Sequence, residues 1–217
     1  GQSRRAMSIW SKFGVPPVDV ETRADGSSIW RSREALAAYP TRVGDVIQAR
    51  LREMPERPYI AQRQGAGWRR VTYGEAGRAA RAIAQALLER KLGPERPVLI
   101  VAENGIDHAL LAWACLLIGV PFVPVSAAYA RPGQGFTKLR YIIELIRPGL
   151  IFVDTGSRYA GAREALDEAK CEVVVADEAP AGTTAFATLT ATNPTAAVEA
   201  AADTVGPDTI AKGLFTS

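Results

Sequence analysis

The chain has 217 residues, 47% of them apolar and 23% charged, a composition that fits one globular domain and excludes a fibrous or disordered chain. The net charge is +3, with basic and acidic residues interleaved along the chain, which argues against a nucleic-acid or membrane-surface role. One histidine, His108, excludes His-rich zinc motifs, and Cys115 and Cys171, far apart and without a CxxC pattern, read as two buried free thiols with the cytoplasm as default compartment.

Residues 1–45 read as a lead-in with a hairpin. Gly1 to Phe13 lacks the apolar core of a secretory signal. Val18 to Arg23 alternates apolar and polar residues, Asp25-Gly26 is a turn signal, and Ser28 to Arg31 can return as a second strand. Val43 to Met54 has the spacing of an amphipathic helix, ended by Pro55 and Pro58.

Residues 46–176 read as an α/β subdomain. It opens with a second hairpin, Tyr59 to Gln62 and Trp68 to Thr72 around Gly65 to Gly67. Thr72 to Glu75 has the Thr-x-x-Glu spacing of a capping box and predicts a helix from Tyr73 to Arg90. Ala76, Ala79, Ala80, Ile83, Leu87 and Leu88 form its apolar face, while Arg78, Arg81, Gln85, Glu89 and Arg90 are expected to face solvent. Val98 to Ala102 is a buried strand, and Asn104 is the expected cap of a helix ending at Gly119.

Val120 to Val125 is a strand that its prolines assign to a sheet edge or bend. Although Ala109 to Val125 is almost wholly apolar, Gly119, Pro121 and Pro124 interrupt it. It therefore reads as a buried helix and strand, not a membrane span. After the loop from Ser126 to Gly135 come a helix from Phe136 to Ile146, a strand from Leu150 to Val153, a helix from Arg158 to Ala169 and a strand from Glu172 to Val175. This alternation predicts an α/β fold: an open, mostly parallel sheet with helices on both faces, plus N-terminal hairpins.

Residues 177–207, rich in Ala, Thr and Pro, read as an extended connection in which Pro194 to Ala202 can form a short helix. Residues 208–217 read as a final strand, with Ile210, Leu214 and Phe215 buried, that delivers Thr216 and Ser217 to its C-terminal end. Ligands of open α/β sheets collect at that edge. Two hydroxyls there can be donors to such a ligand. The alternative is that they are just a polar strand end.

The other candidates read as structural. His108 has no Ser or Cys partner at a recognisable spacing, so a packing or surface role is expected over a catalytic base. Tyr129 can line an aromatic pocket but is expected to pack, as are Trp68 and Trp113. Arg69 and Arg70 read as a solvated strand face. Gly133 to Gly135 is not a GxGxxG fingerprint, and no GxxxxGK[ST] occurs.

The order of elements resembles the N-terminal half of the adenylate-forming acyl- and aryl-CoA ligases. The likeness runs from about Phe13 to Ser217, through Thr72 to Glu75, Glu103 to Gly105 and Ile118 to Ser126. Within that superfamily it most resembles the feruloyl-CoA synthetases, through Val18 to Glu21, Arg23 to Ser27, Glu95 to Val98, Asp107 to Leu111, Lys138 to Arg140 and Arg147 to Leu150. Thr216 and Ser217 are similar to the first residues of the family's Thr-Ser-Gly phosphate loop. Two departures are Ala127 where the family has proline, and Gln134 to Thr137 where it has an acidic stretch.

The resemblance implies ATP, Mg²⁺ and CoA as cofactors and an aromatic carboxylic acid such as ferulate as substrate, with no nucleic acid or membrane partner. The rest of the loop and the catalytic residues would lie beyond Ser217, so these 217 residues alone are expected to be inactive. A ligase for a benzoate-like or fatty acid, a carrier-protein-loading enzyme and a non-catalytic α/β binding module stay open as alternatives.

Overall fold

The computed structural model describes residues 17–133 and 135–216. The first sixteen residues of the lead-in, Gln134 and Ser217 lie outside the described residues. The chain divides into two units, Gly1–Tyr39 and Pro40–Ser217.

In the first unit, β1 (Val18–Thr22) pairs antiparallel with β2 (Ser28–Ser32), in the register Val18 to Ser32. Gly26, with φ of 84°, makes the turn, and the Asp25 carboxylate accepts from the Ser27 N–H at 2.9 Å. Such positive φ is cheap only for glycine. Val20 and Trp30 sit opposite each other and are both exposed.

The second unit contains the predicted sheet. Helix α1 spans Val43–Glu53, and the hairpin of β3 (Pro58–Gln64) and β4 (Gly67–Thr72) leads into α2 (Tyr73–Glu89). Both halves of the expected capping box form: the Glu75 N–H donates to Thr72 Oγ1 at 3.2 Å, and the Thr72 N–H donates to Glu75 Oε2 at 2.8 Å. A Cβ on Gly77 would stand 2.8 Å from Leu51, so the missing side chain allows α1 to lie against α2.

From there β5 (Val98–Val101), α3 (Ile106–Ile118), β6 (Phe122–Val125), α4 (Thr137–Ile146), β7 (Leu150–Thr155), α5 (Gly156–Asp167), β8 (Glu172–Asp177) and the two-residue β9 (Thr184–Ala185) follow in turn. The sheet is parallel throughout, in the order β6-β5-β7-β8-β9. Its side chains alternate between two cores, as a period of two requires. Val98, Ile100, Leu150, Phe152 and Val174 face α2 and α3. Leu99, Val101, Ile151, Val153 and Val175 face α4 and α5. Right-handed crossovers explain the split. The step from β5 to β6 goes one way along the sheet and puts α3 on one face. The steps to β7 and β8 go the other way and put α4 and α5 on the opposite face.

Several expectations change. Asn104 does not cap α3: Gly105 is the N-cap, and the Ile106 N–H donates instead to Gln62 Oε1 of β3 at 3.0 Å. Gln85 is buried, not solvent-facing. Its amide oxygen accepts from the Thr195 N–H at 3.0 Å and from Thr195 Oγ1 at 2.8 Å. Residues 177–207 are more than an extended connection. They carry β9, α6 (Phe186–Thr190) and α7 (Ala196–Asp203), with Phe186, Leu189 and Val198 buried in the first core. A sequence rich in Ala and Thr shows little period, yet three well-placed apolar side chains suffice to dock two short helices.

Residues 208–217 were expected to form a buried strand. The described part makes one parallel bridge, Lys212 with Phe122. The Phe122 N–H donates to Ala211 O at 3.2 Å and the Gly213 N–H donates to Phe122 O at 3.0 Å. Ile210 and Leu214 are 69% and 70% exposed. In a parallel ladder alternate residues face one neighbour, so the next outward position on β6 is Pro124. Proline has no N–H to give to Gly213 O, and the ladder stops after one rung.

Candidate functional site at the C-terminal edge of the sheet

Because β5 is flanked by β6 and β7, the chain leaves β5 in opposite directions along the sheet. That is a topological switch point, where the loops after adjacent strands part and leave a crevice. A crevice of about 410 Å³ opens here, lined by Glu103 after β5, Asp154 and Thr155 at the end of β7, and Asp177 at the end of β8. The start of α3 and the β3–β4 hairpin close its other side with Asp107, His108, Gln62, Arg63 and Arg69.

Local hydrogen bonds hold this rim. The Asp154 carboxylate accepts from the Glu103 N–H at 2.9 Å and from Arg158 at 2.6 and 3.2 Å. Asp154 therefore ties the loop after β5 to β7. Thr155 caps α5, its hydroxyl accepting from the Arg158 N–H at 3.2 Å. Arg69 crosses from the hairpin to Asp107 at 3.1 Å. Two of the four carboxylates are thus neutralised by arginine, while Glu103 and Asp177 have no side-chain hydrogen bond or ion pair among the described residues. The crevice offers free carboxylate acceptors together with amide, hydroxyl and guanidinium donors, a set suited to a polar ligand. Among the described residues no cluster of three or more His, Cys, Asp or Glu is arranged to hold a metal ion.

Thr216 is exposed. It lies four residues beyond Lys212, in a segment running parallel to β6 toward the same edge of the sheet, and Phe215 packs into the second core beside it. Ser217, the other half of the predicted hydroxyl pair, is outside the described residues. One exposed hydroxyl at the edge fits the opening of a phosphate cradle but does not enclose an anion.

His108 lines the crevice, with Nδ1 at 3.3 Å from Glu103 O and no nucleophile bonded to it among the described residues. Tyr129 packs against the second core with Lys138 Nζ 5.3 Å from its ring centroid. Trp113 is buried as expected, but Trp68 is 55% exposed, with Arg63 stacked on it. Arg69 is an ion-pair partner, not a merely solvated strand residue. Sequence reasoning gave no site role to Asp154 or Asp177, nor to Glu103, which it used only as part of the family resemblance. Each stands at or just past the end of an apolar strand, and that position was the available signal. Both cysteines are free; burial raises the Cys115 thiol, and it pushes that of Cys171 up to about 11 despite nearby Arg96. No helix among the described residues is long and apolar enough to cross a membrane.

A doubly wound parallel sheet with a polar crevice at its switch point defines the class: an open α/β domain. The family model for the AMP-binding enzymes matches residues 47–217, well over half of the chain. The chain belongs to the AMP-binding enzyme family. No curated protein matches it. Solved structures similar to it include a long-chain-fatty-acid-CoA ligase from Archaeoglobus fulgidus, with TM-score 0.63 and 14% identity over 83% of this chain and 36% of that one. A benzoate CoA ligase from Burkholderia xenovorans LB400 gives TM-score 0.56 and 20% identity over 72% and 30%. A fatty acyl-adenylate ligase from L. pneumophila gives 0.57 and 17% over 79% and 27%. At these identities the likeness establishes the fold alone. The chain spans about a third of the length of these proteins.

Proposed function

We propose that this chain is the N-terminal portion of an ATP-dependent acid–CoA ligase, with a hydroxycinnamate-like aromatic acid such as ferulate as substrate. The observation that carries it is the family match over residues 47–217; the bridge of Lys212 to β6, four residues ahead of Thr216, supports the reading. In the reaction proposed, a carboxylate oxygen attacks the α-phosphorus of ATP and pyrophosphate leaves. The thiol of CoA then attacks the acyl carbon, and AMP leaves.

ATP supplies the leaving group, and Mg²⁺ offsets phosphate charge. This chain's own part is to start the phosphate cradle. Thr216 and Ser217 give hydroxyl donors, and the single bridge at Lys212 leaves the segment free to adjust around an anion. The tie between Asp154 and the Glu103 N–H fixes the loops at the same edge. The proposed compartment is the cytoplasm, and the proposed partners are small molecules, not nucleic acid or membrane.

The test is to express the complete open reading frame that encodes this chain. Pyrophosphate release with ATP and Mg²⁺, and thioester formation with CoA, are measured against ferulate, benzoate and a fatty acid. Acid-dependent release with ferulate preferred is expected, and none from residues 1–217 alone. No acid-dependent release with any of the three would overturn the ligase reading. Preference for benzoate or the fatty acid would overturn the substrate. The benzoate and fatty-acyl ligases among the similar structures make the latter the second reading.

A further inference from the structure

The hairpin of β3 and β4 has two unlike faces. Residues two apart in a strand share a face, so the cross-strand pair Gln62 and Arg69 lies on one, and the pairs Arg63 with Trp68 and Ala61 with Arg70 lie on the other. The first face is committed to the body of the unit: Gln62 accepts from the Ile106 N–H at 3.0 Å and Arg69 pairs with Asp107 at 3.1 Å. All four residues of the second face are exposed. There the Arg63 guanidinium stands 5.5 Å from the centre of the Trp68 ring. Neither Arg63 nor Arg70 has an ion pair or a side-chain hydrogen bond among the described residues.

Pro58 to Thr72 holds three arginines and no lysine or carboxylate. That +3 equals the net charge of the whole chain, so the remaining residues balance and the excess sits on this ribbon. An exposed tryptophan between unpaired arginines has the composition of an interface hot spot. A second, independent feature is the backbone. β3 and β4 form a two-stranded sheet, and neither outer edge has a ladder partner among the described residues. An open edge is a template for one more strand. Two free guanidinium groups are too few to follow a phosphate backbone, and a ladder edge is met by a polypeptide, not by a nucleic acid. The complement of this surface is therefore an extended, acidic polypeptide.

We propose that the outward face of the hairpin and the free edge of β4 bind an extended acidic segment of a partner protein. The segment adds as a third strand beside β4. Its side chains on the Trp68 face recur at every second residue, and lateral neighbours in a sheet stand about 5 Å apart. An apolar residue beside Trp68 therefore places a carboxylate, two positions away, beside Arg70. Arg63 can take a second carboxylate across the Trp68 ring. The surface goes beyond the ligase reading, since it uses neither ATP nor the hydroxyl pair. The same ribbon closes one side of the switch-point crevice with Gln62 and Arg69, so a docked segment holds that wall in place.

The test uses the complete protein, without ATP, Mg²⁺ or CoA, and the fluorescein-labelled peptide Val-Thr-Glu-Thr-Val-Thr-Glu, capped at both ends, with binding followed by anisotropy. Affinity should fall as salt rises. It should drop about tenfold in Arg70→Gln, the loss of one charge-assisted contact, and by about tenfold or more in Trp68→Ala. Arg131→Gln, which removes an exposed arginine elsewhere, should bind as the parent does. The same peptide with glutamine for glutamate should bind about tenfold more weakly or worse. Amide exchange from Trp68 to Arg70 should slow on binding. Equal binding of the glutamine peptide, unchanged affinity in Arg70→Gln, unchanged exchange along β4, or tighter binding of a labelled oligo-dT than of the peptide each overturns the proposal. Self-association of the protein alone that Trp68→Ala abolishes also overturns it, making a second copy the occupant. Because the readout is peptide affinity, a failed pyrophosphate assay leaves this result standing, and the reverse holds too.

Discussion

Replacing Pro124 with valine tests the account of why the Lys212 segment is not a strand. The parent has two ladder bonds there, Phe122 N–H to Ala211 O and Gly213 N–H to Phe122 O. Valine restores an N–H at the next outward position, facing Gly213 O, and a β-branched residue suits an edge strand. One added backbone hydrogen bond contributes about 1 kcal/mol net, or about fivefold in the local opening equilibrium. Hydrogen exchange at Gly213 and Phe122 should therefore slow about fivefold. Global stability should not rise in step, because removing proline loosens the unfolded chain by about 0.4–1 kcal/mol. The two measurements should thus diverge: more local protection, with an unchanged or slightly lower melting temperature. Exchange at Gly213 that is unchanged or faster in Pro124→Val would refute the missing N–H as the reason the ladder stops.

Gln85→Leu should destabilise the protein by about 1 kcal/mol in urea denaturation, because the bonds from the Thr195 N–H and hydroxyl to the buried Gln85 amide are lost while Thr195 itself stays open to water; no measurable change would show that water replaces the amide. Burial works to raise the Glu172 carboxyl, but bonds from Arg90 and Thr184 outweigh it and hold the group below its ordinary value. A carboxyl depressed in the folded state contributes stability above its unfolded value, and that contribution is lost as pH falls through the folded one. Glu172→Gln should accordingly lose less stability on acidification than the parent, followed by circular dichroism, and parallel curves would contradict the sign. Cys115 and Cys171, both with raised thiols, should react slowly with a disulfide reagent near neutral pH and rapidly after denaturation. Prompt labelling of both in the native protein would show that they are not protected.

Local chemistry was legible in the sequence wherever neighbouring residues settle it. The Thr72 and Glu75 capping box, the αL glycine at Gly119 and the turn at Gly26 are each specified within a few positions, and each forms. The alternation of apolar strands with helices was enough to fix the α/β class, and chirality then leaves few topologies. What lay beyond the sequence depends on partners distant in the chain. Gln85 looks like a solvent residue until α7 brings Thr195 to it, 110 positions away. Asn104 looks like a cap until β3 places Gln62 over the α3 N-terminus. The final apolar segment reads as a buried strand, but whether it pairs is decided by which side of β6 Pro124 presents. The crevice acids were visible as residues and not as a site, because only the strand order puts the ends of β5, β7 and β8 side by side. Short-range rules act through bonds between near neighbours, so sequence alone carries them; the site is made by strand order, and strand order exists only once the chain has folded.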